Sequence, residues 1–363
     1  MTLAIFLMIA IIVVGIQTAV PYLVKRSVIF GVTIPEQHLN NQKLTTYKKR
    51  YALMVSLLSA LVLTCYLIWA LINNPTEEQT VLVGIFIQFG IILFSLSLYF
   101  YFHGKTQQLK KDNKWVENLK QMKITDLSVR AQDEMLPWYV YFVPILISVG
   151  VVGYTILNYD LLPNQIPTHW GINGEADAFT KKTPLSAVQM PLTLLAIQIM
   201  FLALHVGKKK SGIKLSATST NASRIRQLTL RKYSSWLMFI ISILVTAMFS
   251  IFQLRTIHPD LFAGTMVAAT PLFFLVVVLS ATIAFSVKVG RSDKLNIDEA
   301  KENITDYDED DNWIGGLIYF NKNDPSILVE KRFGIGWTLN FANSIGYLII
   351  LIPLIVILLI SFM

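Results

Sequence analysis

The first residues that could do chemistry lie in the segment Leu162 to Phe179, where His169 is followed a few residues later by Asp177. A histidine paired with a carboxylate can act as a general acid and base. Between them, Asn173-Gly174 is the strongest short signal for a β-hairpin, because a type I′ turn needs positive φ at both central residues. In a regular two-residue hairpin Trp170 faces Asp177, and His169 points to the opposite face. The register therefore predicts that the histidine and the aspartate do not meet.

Because the hairpin is not expected to hold an acid-base pair, its residues indicate packing or ligand binding instead of catalysis. Trp170 and Phe179 are expected on one face of the hairpin. Aromatic rings there suit either a structural platform over helix ends at a membrane surface or a ligand-binding surface, and both interpretations stay open. The candidate ligand-binding residues are Pro167, His169, Trp170, Gly174, Asp177 and Phe179.

A second candidate is the acidic stretch Asp306 to Asn312, in which oxygen ligands alternate as at the start of an EF-hand calcium loop. Asp311 stands where that loop needs its glycine, and Leu317 stands where it needs a bidentate glutamate. The stretch is therefore expected to be a solvated charged linker, and the sequence predicts no metal site.

Other catalytic patterns are missing from the sequence. The basic cluster Lys208-Lys209-Lys210 lacks the glycine framework of a nucleotide-binding loop, no H-E-x-x-H pair could hold zinc, and no G-x-S-x-G elbow presents a serine. The apolar segments contain no aspartate pair for intramembrane proteolysis. We therefore expect a protein that is not an enzyme and uses no cofactor.

The elements that position these residues follow from the composition. Hydrophobic residues make up 54% of the 363 residues and charged residues only 15%, against about 25% in a typical soluble domain. The mean hydropathy of +0.54 comes from long apolar runs, each close to the roughly 20 residues that cross a bilayer as a helix. The eight runs are Leu3 to Val24, Leu53 to Ile72, Val81 to Phe102, Tyr139 to Leu157, Val188 to Val206, Leu237 to Leu254, Met266 to Val287 and Ile345 to Phe362.

The distribution of basic residues orients these spans. All but three of the 31 lysines and arginines lie in the first, third, fifth and seventh loops, and the exceptions are Lys181, Lys182 and Arg255. Because basic loops stay cytoplasmic, the sequence predicts that both termini are extracytoplasmic. The same asymmetry accounts for the net charge of +8, so we expect no nucleic-acid partner.

Polar residues at membrane depth bear on transport. No aspartate or glutamate lies within the eight runs, which disfavours a proton-coupled or ion-coupled transporter. Gln17, Gln88 and Gln198 do lie within them. We expect these amides to form hydrogen bonds between helices, and a polar pathway lined by them is the alternative.

The hairpin segment resembles part of a known family. Its pattern Leu162-Pro163-x-x-Ile166-Pro167-x-His169-Trp170-x-x-x-Gly174-x-x-Asp177, between two spans, is similar to the signature of the uncharacterised membrane domain of the SdpI-like family. The namesake of that family is a toxin-immunity and signalling protein of Gram-positive bacteria. The placement of the spans extends the similarity to Trp138 through Val206. The resemblance implies a non-enzymatic bacterial membrane protein of toxin-resistance, immunity or envelope-stress signalling type.

The last basic loop contains the pattern Trp313-x-x-Gly316-x-x-Tyr319-Phe320-Asn321-x-x-Asp324-Pro325, followed by Lys331-Arg332-x-Gly334-x-Gly336-Trp337-Thr338-Leu339-Asn340. This pattern is similar to a short module often appended to such bacterial membrane proteins. Residues 314–320 are predicted as a strand, 321–325 as a turn and 327–329 as the return strand. Gly334 and Gly336 are expected to allow close backbone approach. The segment Phe30 to Pro35 after the first span could pair with this module or lie along the lipid headgroups. The candidate residues of the module are Trp313, Gly316, Tyr319, Asn321, Asp324, Pro325, Lys331, Arg332, Gly334, Gly336, Trp337 and Asn340.

The sequence thus predicts an all-α polytopic protein of the bacterial plasma membrane with about eight transmembrane helices, a short extracytoplasmic β-hairpin loop and a small cytoplasmic β-containing module. Its regions are 1–137 with three spans, 138–288 with four spans and the hairpin loop, and 289–363 with the module and the last span. The expected partners are the lipid bilayer, a peptide or lipid ligand outside and a regulatory protein inside. A small-molecule or lipid permease is the alternative function, and a polar cavity lined by the three glutamines would favour it.

Overall fold

The computed structural model describes residues 2–362 except 118, 123, 125, 127, 172–174, 263 and 293–303. Within the described residues, eight helices are long and apolar enough to cross a membrane, which confirms the predicted all-α polytopic class. In chain order the helices are α1 Thr2–Leu23, α2 Gln42–Asn73, α3 Glu77–Asp112, the single turn α4 Ser128–Ala131, α5 Phe142–Leu157, α6 Pro184–Lys210, α7 Thr220–Ile257, α8 Gly264–Arg291 and α9 Ser344–Phe362.

Three of the helices are much longer than a bilayer requires. α2, α3 and α7 have 32, 36 and 38 residues, against the roughly 20 that span the hydrocarbon core. Hydropathy predicted only their apolar parts, because the additional turns carry charged residues such as Lys110 in α3 and Arg226 in α7. Both of these residues contact the loop that follows α8, since Lys110 pairs with Asp308 and Arg226 pairs with Glu330.

The two ends of the bundle differ in composition. The loops after α1, α3, α6 and α8 gather at one end, called the basic end here, and the hydrogen bonds described below connect them. At the other end, the hairpin end, Thr2 of α1 donates a hydrogen bond to Glu77 of α3 over 3.1 Å. Trp170 of the hairpin stacks there on Phe252, near the end of α7. The grouping of basic loops agrees with the predicted topology, and the assignment of the basic end to the cytoplasm stays a prediction.

Short strands join the loops in pairs. Among the described residues they form five two-stranded sheets, of which four are antiparallel hairpins and one, β3 with β6, is a parallel pair. The strands are β1 Val28–Ile29, β2 Val32–Thr33, β3 Lys120–Met122, β4 Gln165–Trp170, β5 Ala176–Lys181, β6 Ile304–Asp306, β7 Trp313–Ile314, β8 Ile318–Tyr319, β9 Leu328–Glu330 and β10 Trp337–Leu339.

Both predicted β-containing regions exist, but the strand assignment inside the module is partly wrong. Gly315 and Gly316 have φ of 58° and 70°, so the chain turns back within the predicted strand 314–320 and pairs β7 with β8. The predicted return strand is present as β9, and it pairs with β10 instead.

Of the three glutamines expected to form hydrogen bonds between helices, one does so among the described residues. The hydroxyl of Ser242 in α7 donates to Oε1 of Gln198 in α6 over 2.5 Å, which is the expected interhelical bond. By contrast, Oε1 of Gln17 and both amide atoms of Gln88 are buried without a hydrogen-bond partner among the described residues. Gln253 makes an interhelical bond that was not predicted, to the carbonyl of Ala187 over 3.1 Å.

Cysteine labelling tests the orientation. In a Cys65→Ala background, a cysteine at the exposed position Asn164 of the hairpin end should react with a membrane-impermeant maleimide on intact cells. A cysteine at Asn113, exposed at the basic end, should react only after lysis. The reverse pattern would show that the basic end faces outward.

Candidate functional site

The hairpin brings its histidine and aspartate together, so the prediction that they do not meet is wrong. Nδ1 of His169 lies 2.5 Å from Oδ1 of Asp177. The strands are not regularly paired, because Thr168 is an extra residue in β4 and Asp177 is an extra residue in β5. These two irregularities place Asp177 beside His169 and leave Trp170 opposite Ala176 instead of Asp177.

This pair is open to water. The side chains of His169 and Asp177 are 69% and 53% exposed, so their hydrogen bond contributes little to stability. The predicted turn Asn173-Gly174 lies outside the described residues, and so does Gly174 as a candidate ligand contact. The described part of the hairpin is closed by a hydrogen bond from the backbone N–H of Gly171 to the carbonyl of Glu175 over 2.8 Å.

The two aromatic rings of the hairpin have different surroundings. The ring of Trp170 stacks on Phe252 of α7 with centroids 4.9 Å apart and 22° between the planes. Phe179 pairs with Pro167 and stays 52% exposed. Only the tryptophan therefore covers a helix end.

An apolar cavity of about 540 Å³ lies between the hairpin and the ends of the helices, and is called the apolar cavity here. Residues 168–171 form one wall, and the first turns of α1, α3 and α8 form the others together with Phe252. Its volume falls within the range of roughly 300–1,000 Å³ seen for small-molecule sites. The helix residues that line it include Phe6, Ile9, Pro271, Leu272, Phe274 and Leu275.

At the basic end, one carboxylate connects three parts of the chain. Oδ1 of Asp310 accepts hydrogen bonds from the backbone N–H of Thr33 over 3.0 Å and from Arg332 over 2.5 Å. Its Oδ2 accepts a hydrogen bond from Lys110 over 2.7 Å. Thr33 follows α1, Lys110 lies in the last turn of α3, and the other two residues follow α8, so Asp310 fixes these elements to one another.

The partners of Asp310 keep it charged. Burial would raise the pKa of its carboxyl, but Arg332, Lys110 and the Thr33 N–H outweigh burial and lower the pKa to about 2. Asp308 also contacts Lys110, at 2.5 Å. The prediction that this acidic stretch is a solvated linker is therefore wrong, because Asp308 and Asp310 are counter-ions for the buried cations Lys110 and Arg332.

A second cluster surrounds the fully buried hydroxyl of Tyr319. This hydroxyl accepts hydrogen bonds from Lys214 over 3.0 Å and from Asn321 over 3.1 Å, and it donates to Asp324 over 2.9 Å. Lys214 also lies 3.2 Å from Glu309 and 3.0 Å from Asp324. Burial would lower the pKa of the Lys214 ammonium, but the neighbouring carboxylates and the tyrosine raise it overall, so the lysine stays charged.

Asn340 holds the turn of the module. Its amide nitrogen donates to the carbonyls of Asn321 and Asp324 over 2.9 Å each. Its Oδ1 accepts from the backbone N–H groups of Asn321 at 3.1 Å and Ala342 at 3.2 Å. The carbonyl of Pro325 accepts a bond from the next asparagine, Asn343, at 3.1 Å. The predicted turn over 321–325 is thereby fixed to the segment that leads into α9.

The segment after α1 docks on the module without joining one of its sheets. Arg332, whose guanidinium lies 5.1 Å from the centre of the Trp313 ring, also donates to the carbonyl of Gly31 over 3.0 Å. A Cβ added to Gly31 would stand 2.7 Å from Cα of Gly316, so the two backbones touch. β1 and β2 pair with each other, and Phe30 is buried. Neither expected arrangement, pairing with the module or lying along the headgroups, is correct.

The remaining module residues have simpler roles. Gly334 and Gly336 lie between β9 and β10 with φ of 79° and 115°, and no atom stands within 4 Å of a Cβ built on either. Their positive φ requires glycine, so the expectation of close backbone approach is wrong. Lys331 is exposed beside them. The indole N–H of Trp337 donates to Ser234 of α7 over 3.2 Å.

Two buried arginines that the sequence analysis missed attach the loops to the helices. Arg226 lies 2.7 Å from Glu330 of β9 and also donates to the carbonyls that end α1 and α8. Arg231 lies 2.6 Å from Asp133 and donates to the last carbonyls of α6, where a positive charge is favoured by the helix dipole. The sequence feature that could have identified these two arginines is their position in a helix that continues beyond its apolar run.

A third missed group is buried near the end of α6. Lys208 is 8% exposed, and among the described residues its ammonium contacts only the sulfur of Met238. The rings of His205 and Tyr141 lie 4.9 Å apart. Nδ1 of His205 and the hydroxyl of Tyr141 are buried without hydrogen-bond partners among the described residues. A buried ammonium without a carboxylate is costly, which marks this position as unusual.

A polar cavity of about 570 Å³ lies among the loops of the basic end, and is called the polar cavity here. It is bordered by both ion-pair clusters and by the indoles of Trp313 and Trp337. Across the described residues, no group of three histidine, cysteine or acidic side chains is placed to hold a metal ion. Charged side chains and aromatic rings are therefore the ligand-binding groups that this end offers.

Two parts of the chain match known families, and both matches are to domains without an assigned activity. Residues 146–195, from α5 through the hairpin into α6, match a domain of unknown function, DUF1648. Residues 322–347, from the turn of the module into α9, match a family of unknown function, DUF5808. No curated protein and no solved structure matches the chain. Fold and comparisons together define a polytopic membrane protein that carries two domains of unknown function.

Replacing Asp310 tests its role as a shared counter-ion. Asp310→Asn should lower the free energy of unfolding by about 3 kcal/mol, because Arg332 and Lys110 lose a buried charge partner. With its pKa lowered to about 2, the wild-type carboxylate should stabilise the protein fully above about pH 4 and progressively less as pH falls toward 2. Thermal unfolding in detergent at several pH values measures both effects. The exposed neighbour provides the control, and equal losses in Asp310→Asn and Asp311→Asn would contradict this role.

Replacing Lys208 is expected to stabilise the protein, unlike replacing Asp310. Lys208→Met should raise the free energy of unfolding by about 1 kcal/mol or more, since it removes a buried charge and keeps a side chain of similar length. The neighbouring change Lys209→Met, at an exposed position, should stay within about 0.5 kcal/mol of the wild type. Loss of stability in Lys208→Met would contradict the conclusion that the buried ammonium is an energetic cost to the fold.

Proposed function

We propose that this chain is a non-enzymatic bacterial membrane protein of toxin-resistance or envelope-stress signalling type, which binds an amphipathic peptide or lipid at its hairpin end. The observation that carries the proposal is the apolar cavity of about 540 Å³ next to Trp170. It combines the loop that the sequence singled out with a space of suitable size and chemistry.

The lining of the cavity supports an amphipathic ligand. The helix side chains are aliphatic and aromatic, and they belong to the first turns of α1 and α8, near one membrane surface. The rim carries His169, whose partner is Asp177. An apolar chain could enter between the helices while a polar or cationic group meets the rim, because a carboxylate half exposed to water attracts cations without a large desolvation cost.

Two further observations support this class of function. The hairpin segment resembles the SdpI-like signature, which implies a role in immunity or signalling. The distribution of basic residues assigns the hairpin end to the outside of the cell, where toxins and membrane-active peptides arrive. At the basic end, ion pairs connect four loops, and this face is the proposed contact for a regulatory protein inside the cell.

The permease alternative rests on the glutamines. The partnerless atoms of Gln17 and Gln88 are what a polar pathway would supply. Against it, neither the apolar nor the polar cavity is lined by Gln17, Gln88 or Gln198, and the two cavities have no lining residue in common. The proposal therefore favours binding over transport.

A resistance assay tests the binding role. In a strain that lacks the gene, plasmid-borne Trp170→Ala should reduce survival under cationic membrane-active peptides, with inhibitory concentrations about tenfold below those of the wild type. Protein abundance and the unfolding temperature should stay near wild type, because the indole is only half-buried. Phe179→Ala removes an exposed aromatic residue of the same hairpin and should keep resistance.

Other outcomes are equally informative. Normal resistance and normal abundance in Trp170→Ala would contradict a functional site at the hairpin end. A fall in abundance or stability would instead assign Trp170 a structural role, since removing a packed tryptophan costs about 3–5 kcal/mol. Asp177→Asn removes the carboxylate charge while keeping its size, and it should weaken protection against cationic peptides more than against neutral ones.

A further inference from the structure

Most of the carboxylates that line the polar cavity already have ion-pair or hydrogen-bond partners within the protein. Glu330 is held by Arg226, and Glu309 and Asp324 are both held by Lys214. Asp306 accepts hydrogen bonds from the Ser216 hydroxyl over 2.9 Å and from the next backbone N–H over 2.6 Å. Asp126 is exposed and accepts a bond from the backbone N–H of Ser128. Of the five acids in the lining, Asp126 alone has no cation within ion-pair distance among the described residues.

The cations of the same lining are in excess. Within the described part of the chain, Arg130, Lys210 and Lys331 make no ion pair, and Lys25 reaches a carboxylate only at 4.0 Å, at Asp306. The guanidinium of Arg130 in α4 donates to the carbonyl of Lys210 over 3.2 Å, so Arg130 lies beside the end of α6. Among the described residues, Arg130, Lys210 and Lys331 are therefore the unpaired cations of this lining, Lys25 is shared at long distance with Asp306, and Asp126 is the single unpaired acid.

We propose that the polar cavity binds a phosphoryl group. Guanidinium and ammonium groups together are the usual partners of phosphate, since arginine donates two parallel hydrogen bonds and lysine supplies point charges. The cavity volume of about 570 Å³ is larger than a phosphoryl group requires, so the ligand carries further atoms toward Trp313 and Trp337. The phosphoryl group could come from an anionic lipid headgroup or from a free phosphorylated molecule.

The positions of these cations along the helices indicate the depth, relative to the bilayer, at which the ligand lies. Lys25 comes two residues after the end of α1, and Lys210 is the last residue of α6. Residues at the ends of spanning helices lie at the depth of lipid headgroups, and basic pockets between such helices are a recurrent form of anionic-lipid site. A lipid headgroup therefore has direct access to this site.

Two probes distinguish the sources. The purified full-length protein is reconstituted into nanodiscs of phosphatidylcholine with or without phosphatidylglycerol, and retained lipid is counted by native mass spectrometry. In detergent, thermal unfolding is followed with added inorganic phosphate, using sodium chloride at equal ionic strength as the reference. The test variant is Arg130→Gln/Lys210→Gln/Lys331→Gln. The matched control, Lys49→Gln/Arg50→Gln/Lys111→Gln, removes three exposed charges of the basic end outside the cavity.

The expected result is preferential retention of phosphatidylglycerol, a phosphate-dependent rise in unfolding temperature, or both. Binding should be about tenfold weaker or worse in the test variant and unchanged in the control. Retention of lipid alone identifies a headgroup site, and a response to phosphate alone identifies a site for a free ligand. Equal weakening in both variants, or no response to either probe in the wild type, would overturn the proposal. An unchanged unfolding temperature of the test variant without ligand establishes that it is folded.

Discussion

The ionised carboxylate of Asp310 is the constraint on which the basic end depends. Moving a carboxylate out of water costs several kcal/mol, and the cost is offset only when charged and hydrogen-bonding partners are in place. Here those partners come from the loop after α1, the end of α3 and the strand region before α9. Because each partner is attached to a helix, satisfying one charge fixes the relative position of several helices. Arg226 and Arg231 extend the same principle to α6, α7 and α8.

The apolar part of the bundle follows different physics. Lipid tails are as apolar as leucine, so there is little hydrophobic force to bring spanning helices together. Among the described residues, the polar contacts between helices in this region are scattered single bonds, such as Ser242 with Gln198, Tyr51 with Ser95 and Gln253 with Ala187. The fold is therefore specified mostly at its ends. One end carries a network of ion pairs, and the other carries a hairpin that packs on α7 through Trp170. The polar cavity lies at the ion-paired end, and the apolar cavity lies beside the hairpin.

Properties set by local composition could be predicted from the sequence. The eight spans, the hairpin and the gathering of basic loops depend on neighbouring residues and on the bilayer. Contacts between distant residues could not be predicted. Nothing near Asp310 in the sequence shows that its partners are Lys110 and Arg332, and the acidic stretch has the composition of an exposed linker. The His169–Asp177 contact was missed because two register irregularities change which side chains share a face.

The close contact between Gly31 and Gly316 has a consequence for how the protein is made. One glycine belongs to the first loop and the other to the last, and each lacks the side chain that would keep the two backbones apart. At a synthesis rate of about 5–20 residues per second, the first loop waits tens of seconds before its partner leaves the ribosome. During that interval the first loop already has α2 and α3 to pack against, because the ring of Phe30 contacts Tyr51 and Phe102 and its carbonyl lies 2.7 Å from Nδ1 of His103. Biogenesis therefore passes through a stage in which the first loop rests on α2 and α3 while Gly31 still lacks its contacts with Gly316 and Arg332.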